Sequence, residues 1–71
     1  RNTQDGVNLV RTAEGGLGET TNILQRIREL ALQSANGTQT DLNRASIDAE
    51  VRQLLEQIDD IALDTEFNGI R

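Results

Sequence analysis

The chain contains no cysteine, no histidine and no lysine, and these absences exclude several kinds of chemistry. Disulfide bonds and zinc sites built from cysteine and histidine are impossible, so neither can stabilise this short chain. Nucleophilic catalysis is excluded as well, because the serine and threonine hydroxyls have no histidine, lysine or cysteine to activate them. We therefore predict no cofactor, no metal and no enzymatic activity for these 71 residues.

Aromatic residues are almost absent, since Phe67 is the only one. The core must therefore be aliphatic, and a chain of 71 residues buries too little surface to be comfortably stable by itself. The sequence also starts and ends with arginine and contains no methionine. We therefore expect a segment of a longer protein, other parts of which complete its core.

Charge of one sign predominates, because 12 acidic residues outnumber 7 basic residues and give a net charge of −5. The arginines are scattered along the chain, and an acidic surface repels phosphate backbones, so we predict no nucleic-acid binding. No apolar run approaches the roughly 18 residues that a membrane-spanning helix needs. The sequence therefore predicts a soluble segment without membrane contact.

The first half of the chain shows the periodicity of a long helix. No proline interrupts the sequence, and apolar or small residues recur at alternating steps of three and four, as in a heptad repeat. This pattern predicts a helix over residues 3–35, roughly 50 Å long at 1.5 Å per residue. The first stripe consists of Val10, Ala13, Leu17, Thr20, Leu24, Ile27, Ala31 and Ser34. A second stripe beside it, which suggests a further neighbour, consists of Leu9, Gly16, Ile23 and Leu30.

The second half predicts a shorter helix over residues 42–63, again with an apolar stripe at steps of three and four. Thr40 or Asp41 is placed to cap its first turn, and Gly37 suits a left-handed residue after the first helix. Because the loop over residues 36–41 is short, we predict an all-α fold: an antiparallel helical hairpin that forms part of a coiled-coil-like rod or bundle. The residues predicted to pack between helices are Val10, Leu17, Leu24, Ile27, Ile47, Val51, Leu54, Ile58 and Ile61.

Three local features are less regular. The residues 15–18, Gly-Gly-Leu-Gly, lie inside the first helix, where each glycine costs about 1 kcal/mol relative to alanine. These glycines have two interpretations. They mark a close helix contact or a tolerated weak spot within one helix, or they break the segment into two helices. Asn36-Gly37-Thr38 matches a glycosylation sequon, but we favour a geometric role for Asn-Gly at a helix end. Residues 64–71 lose the helical period, and we predict an extended exit there.

One stretch of the sequence is specific enough to suggest a family. Residues 25–36 read QRIRELALQSAN, with Thr-Ala-Glu-Gly at 12–15 before them and Phe-Asn-Gly at 67–69 after them. These words, in this order, resemble the conserved amino-terminal part of bacterial flagellin. The resemblance spans essentially the whole chain, and Gln4-Asp5-Gly6 resembles the Asn-Asp-Gly run of the family. The chain departs from the family at Gln4 and at the glycines 16 and 18.

The resemblance implies a fold and a role. In the rod domain of flagellin, the two helices pack with a carboxy-terminal helix of the same chain. The implied function is that of a structural subunit of the bacterial flagellar filament, which is secreted, extracellular and self-assembles with other flagellin subunits for motility. A helical adaptor or hook-associated coiled-coil module with a similar hairpin is the alternative.

The resemblance also implies recognition by innate immune receptors. In vertebrates a Toll-like receptor binds the corresponding helix face and a glutamate on the facing helix, and some plant receptors perceive peptides covering the stretch that resembles residues 19–46. Residues three or four positions apart share one helical face, which suits a binding hot spot. The receptor-facing residues carried over to this sequence are Gln25, Arg26, Arg28, Glu29, Leu30, Gln33 and Glu50.

Overall fold

The computed structural model describes residues 2–67, and these residues form two α-helices joined by a short loop. Helix α1 spans Asn2–Ser34 and helix α2 spans Asp41–Phe67. The contacts between the helices run in opposite sequence order, because Arg26 pairs with Glu50 whereas Gly16 lies against Thr65. The hairpin measures 57 × 16 × 11 Å. The predicted all-α antiparallel hairpin is confirmed.

The loop is closed by polar contacts at both helix ends. Thr40 caps α2, because its Oγ1 accepts a hydrogen bond from the Asn43 backbone N–H at 3.1 Å. Arg44 caps α1 across the loop, because its Nε donates to the Ser34 carbonyl oxygen at 3.3 Å. The expectation for Gly37 is wrong, since its φ lies outside the left-handed region. Helix α1 instead ends with a tighter turn, in which the Asn36 N–H donates to the Gln33 carbonyl at 3.1 Å.

The interface between the helices contains few buried side chains. Within residues 2–67, only Leu30 and Ile47 are buried hydrophobic residues, at 2% and 8% exposure. Thin burial is expected for two helices that touch along one line, since each leaves most of its circumference to solvent. Half-buried residues extend the interface towards both ends of the hairpin. They are Thr12, Gly16, Thr20, Ile23, Ile27 and Ser34 on α1, and Glu50, Val51, Leu54, Ile58, Ile61 and Thr65 on α2.

Three predicted packing residues lie outside this interface. Val10, Leu17 and Leu24 are 54%, 68% and 52% exposed, so their stripe does not face α2. The reason is that α2 lies between the two apolar stripes of α1 and takes residues from both, which leaves the outer edge of the first stripe in solvent. A packing role for these three residues stays a prediction for a partner outside the hairpin. Neither helix of the described part of the chain is long and apolar enough to cross a membrane.

The glycine-rich segment does not break α1, which is continuous through residues 15–18. A Cβ added at Gly16 would lie 2.7 Å from the Thr65 Oγ1 atom, closer than real side chains approach. Gly16 therefore marks a close approach of the two helices. Gly15 and Gly18 have open space where a Cβ would lie, so packing between the helices does not require glycine at either position.

The exit from α2 differs from its prediction. Residues 64–67 are helical rather than extended, because α2 continues to Phe67. Thr65 continues the spacing of Ile58 and Ile61 and lies against Gly16, which extends the helix contact by another turn. The remainder of the predicted extended segment, residues 68–71, lies outside the described residues.

The space around Gly15 and Gly18 gives a first testable prediction. Replacing Gly15 or Gly18 by alanine is expected to raise the free energy of unfolding by about 1 kcal/mol each, because alanine restricts the unfolded chain and favours the helix. Urea unfolding followed by far-ultraviolet circular dichroism measures the change. A destabilisation at either position would show that the glycine conformation itself is needed there.

Candidate interaction surfaces

Two grooves run along opposite sides of the helix contact at the end of the hairpin distant from the loop. Both grooves border the same central contact, formed by Gly16, Ile61 and Thr65. On one side the remaining lining is mostly apolar, and we call this side the apolar flank. The apolar flank consists of Ala13, Leu17, Thr20, Ile58 and Ala62, with Glu66 at its edge.

The other side, which we call the polar flank, carries charged side chains. At this end of the hairpin it consists of Arg11, Thr12, Glu19 and Asp64 beside Gly15. Arg26 lies seven residues after Glu19, and Glu50 lies fourteen residues before Asp64, so heptad spacing places Arg26 and Glu50 on this flank as well. Within residues 2–67, no group of three acidic side chains is arranged to hold a metal ion.

An ion pair joins the two helices on the polar flank. Arg26 donates from Nη2 and Nε to the Glu50 Oε1 atom at 3.0 and 3.2 Å. Its Nη1 atom also lies 3.7 Å from the Glu29 Oε1 atom. Because the Arg26 and Glu50 side chains are 49% and 41% exposed, water screens this pair and limits its contribution to at most about 1 kcal/mol. The pair therefore adds little to the stability of the fold, and its main effect is to hold the Arg26 and Glu50 side chains in place on the polar flank.

The structure brings part of the predicted receptor-facing set together. Arg26, Glu29 and Glu50 form one cluster through the contacts described above. Gln25, Arg28 and Gln33 are exposed on the same stretch of α1, outside this cluster. A role of these six residues in receptor binding is untested by the hairpin geometry and stays a prediction.

Leu30 differs from the exposed apolar anchor that the resemblance suggested. Its side chain is 2% exposed, so it is the most buried side chain of the hairpin. The reason is its spacing, because Leu30 follows Ile23 and Ile27 at steps of seven and three and therefore faces α2 with them. In this conformation Leu30 is not accessible to a partner of the hairpin.

The Arg26 pair gives a second prediction. In a double-mutant cycle, Arg26→Gln and Glu50→Gln are expected to show a coupling energy below about 1 kcal/mol that shrinks as salt is added. Urea unfolding at low and high salt measures it. The control is the same cycle on Arg52 and Asp48, whose ion pair of 3.0 Å lies within α2 and does not join the two helices. A salt-independent coupling well above this limit would contradict the screened surface pair.

Two contacts were not anticipated from the sequence. The Arg44 bond to the Ser34 carbonyl depends on the loop conformation, which the spacing of residues does not determine. A close helix contact at residues 15–18 was one of the predicted alternatives, but the sequence did not identify Thr65 as the partner of Gly16, because Thr65 lies beyond the predicted end of the second helix.

The sequence is similar to that of known proteins along its whole length. The chain matches the family model described as the bacterial flagellin N-terminal helical region over residues 1–71. It is 49% identical to a flagellin of Salmonella muenchen, and 46% identical to both a phase 1 flagellin of Salmonella naestved and a flagellin of Salmonella budapest. Each alignment covers 100% of this chain and 14% of the relative. No significant match to a solved structure was found.

Proposed function

The chain belongs to the family of the bacterial flagellin N-terminal helical region, and on that basis we propose that it forms part of a structural subunit of the flagellar filament. The proposed role is self-assembly with other flagellin subunits outside the cell, for motility, without catalysis. The chain spans 14% of the length of the relatives described above, so other segments supply the rest of the subunit. Family membership favours this role over the alternative of a helical adaptor.

The observation that supports this proposal most directly is the unoccupied apolar flank. Leu17 and Leu24 are 68% and 52% exposed at heptad spacing, and Leu55 on α2 is 49% exposed. Together with Ala13 and Ala62, these side chains form an apolar strip beside the helix contact. Monomeric proteins rarely leave such a strip in water, because burying it releases about 25 cal/mol per Å². A further helix of the same protein is the proposed occupant.

Assembly of the complete protein tests the proposal. Replacing both Leu17 and Leu24 by glutamine is expected to lower filament yield at least about tenfold, because both changes place polar groups in the strip that the proposed further helix would bury. Sedimentation after seeded polymerisation measures the yield. Leu42→Gln is the matched control, since Leu42 is 77% exposed and lies near the loop. Equal yields for the double variant and the control would contradict a packing role for the apolar flank.

A second proposed role is recognition of the polar flank by an innate immune receptor. Its support is the cluster of Arg26, Glu29 and Glu50, which joins both helices on one exposed surface. Exposed arginine that is already held in place by carboxylates suits a binding hot spot, because less side-chain freedom is lost on binding. Receptor recognition would then require the docked hairpin rather than α1 alone.

Receptor signalling by the monomeric complete protein tests this second role. Arg26→Ala is expected to reduce signalling roughly tenfold with unchanged helix content, because it removes the centre of the exposed cluster, whereas the screened ion pair that it also removes contributes at most about 1 kcal/mol to stability. Arg52→Ala, on the outer face of α2, is the control. Wild-type signalling by Arg26→Ala would contradict receptor recognition of the polar flank.

A further inference from the structure

The loop between the helices holds one asparagine side chain in an unusual way. The Asn36 Oδ1 atom accepts hydrogen bonds from both the Thr38 backbone N–H, at 3.0 Å, and the Thr38 hydroxyl, at 2.9 Å. This arrangement is an Asx turn with an added hydroxyl donor. Asn36, Gly37 and Thr38 are all exposed to solvent. The side-chain amide is therefore oriented by the loop and accessible to water.

Two donors on one amide oxygen have a chemical consequence. When a nucleophile adds to the Asn36 side-chain carbon, negative charge develops on Oδ1, and the Thr38 N–H and hydroxyl are already aimed at that atom. Donors held at such a position lower the barrier, as the oxyanion hole does in enzymes, although exposure to water weakens the effect here. The turn therefore favours addition to this amide.

The nucleophile is the backbone nitrogen of the next residue. Gly37 has no side chain, and apart from its two chain neighbours no atom lies within 4 Å of the position a Cβ would take, so no other part of the hairpin crowds its nitrogen. Within the described residues, the Gly37 N–H takes part in no hydrogen bond, so no bond must break before the nitrogen reacts. Nucleophile and activated carbonyl belong to adjacent residues.

We propose that Asn36 is a site of spontaneous deamidation and that Thr38 promotes the reaction. The Gly37 nitrogen loses its proton to base and forms a bond to the Asn36 Cγ atom. The bond from Cγ to Nδ2 then breaks, and ammonia leaves with a proton from water. Water finally opens the five-membered imide at either carbonyl, which gives aspartate or isoaspartate at position 36. The net reaction consumes one water, releases one ammonia and regenerates the base.

The products alter the end of α1 in different ways. Either product places a negative charge just beyond the carboxyl end of α1, where the helix dipole disfavours it. Aspartate keeps an acceptor for the Thr38 donors, whereas isoaspartate adds an atom to the main chain. That insertion disturbs the bond from the Gln39 N–H to the Asn36 carbonyl, now 3.1 Å long. Isoaspartate is therefore the product that loosens the hairpin loop.

The chain contains its own controls. Asn8, Asn22 and Asn43 lie within the helices and are followed by residues with large side chains. Both features hinder attack by the next nitrogen, so these asparagines should deamidate slowly. Asn68 precedes a glycine, as Asn36 does, and it provides the same dipeptide in a different sequence context.

The experiment is timed incubation of the complete protein at mildly alkaline pH, followed by peptide mapping with mass spectrometry that separates aspartate from isoaspartate. Asn36 is expected to convert faster than Asn8, Asn22 and Asn43. Thr38→Val is expected to slow Asn36 roughly three- to tenfold by removing the hydroxyl donor, whereas Thr38→Ser retains the rate. Circular dichroism of each variant verifies that the hairpin is intact.

Several outcomes would overturn the proposal. If Asn36 deamidates no faster than the helical asparagines, it is not a preferred site of deamidation. If its deamidation rate is unchanged in Thr38→Val, Thr38 does not promote the reaction. In urea the turn is unfolded, so the deamidation rate of Asn36 should be the same in Thr38→Val and in the wild type. The deamidation rate of Asn68 should be the same in both proteins. A difference that persists in urea would assign the effect to local sequence and contradict promotion by the turn. A glycan on Asn36 in protein from its native source would also exclude deamidation there.

Discussion

Replacing Leu30 by alanine is expected to lower the free energy of unfolding by about 3 kcal/mol. Leu30 is 2% exposed, and Ile47 is the only other buried hydrophobic residue within residues 2–67. The substitution removes buried methyl groups and leaves a cavity between two helices that share little other buried surface. Because the interface is narrow, no second layer of side chains can compensate. Urea unfolding of the complete protein, followed by circular dichroism, measures the loss.

The matched control for this prediction is Leu32→Ala. Leu32 lies in the same helix two residues away but is 65% exposed, so the change should stay within about 0.5 kcal/mol. Similar losses at both positions would contradict the burial of Leu30. The comparison also bears on the proposed receptor recognition, which predicts that a Leu30 variant loses signalling through a loosened hairpin rather than through a lost contact. Signalling that falls while stability is unchanged would restore Leu30 as a direct receptor contact.

Replacing Gly16 by valine is expected to destabilise the hairpin by about 2–3 kcal/mol. The first added carbon would lie 2.7 Å from the Thr65 Oγ1 atom and 3.5 Å from the Ile61 Cγ2 atom. Rotation of Thr65 can relieve the first overlap, but the branched valine side chain has no room between the helices. The helices must therefore separate at this end. Thermal and urea unfolding both measure the effect.

Two further variants isolate the cause. Gly18→Val changes the same residue type where no atom lies within 4 Å of the added Cβ, so it should reveal only the helix propensity of valine. Thr65→Ala, combined with Gly16→Ala, should recover stability relative to Gly16→Ala alone, because it removes the closest atom. Equal effects of Gly16→Val and Gly18→Val would show that the helices do not approach closely at Gly16.

Much of the fold was predictable from spacing alone. The steps of three and four that end at Ile58 and Ile61 determine a helix face whatever its partner, and the Thr40 cap follows from a hydroxyl placed just before that helix. The start of α2 was therefore predicted to within one residue. Its end was misplaced because Thr65 occupies a stripe position with a polar side chain, and its contact with Gly16 becomes visible only in three dimensions.

The orientation of α1 was harder to predict. Its two apolar stripes lie side by side, and spacing alone cannot say which of them faces α2. Leu17 was expected between the helices from its spacing, and Leu30 was expected on a receptor-facing surface from the family resemblance, whereas Leu30 is buried and Leu17 is 68% exposed. In an isolated hairpin each helix buries only the side chains that face the other helix. The remaining apolar side chains of α1 can be buried only by a further partner. The remaining residues of the receptor-facing set came from family resemblance, which no hairpin geometry can test.

The most direct measurement is circular dichroism of the 71-residue chain, alone and mixed with a peptide from the carboxy-terminal end of a complete flagellin. A further helix on the apolar flank predicts that helix content and melting cooperativity both rise on mixing. The rise should be absent when Leu17 and Leu24 are replaced by glutamine. If the chain is already fully and cooperatively helical alone, and mixing changes neither quantity, the apolar flank needs no helix from the same protein and the proposed packing is wrong.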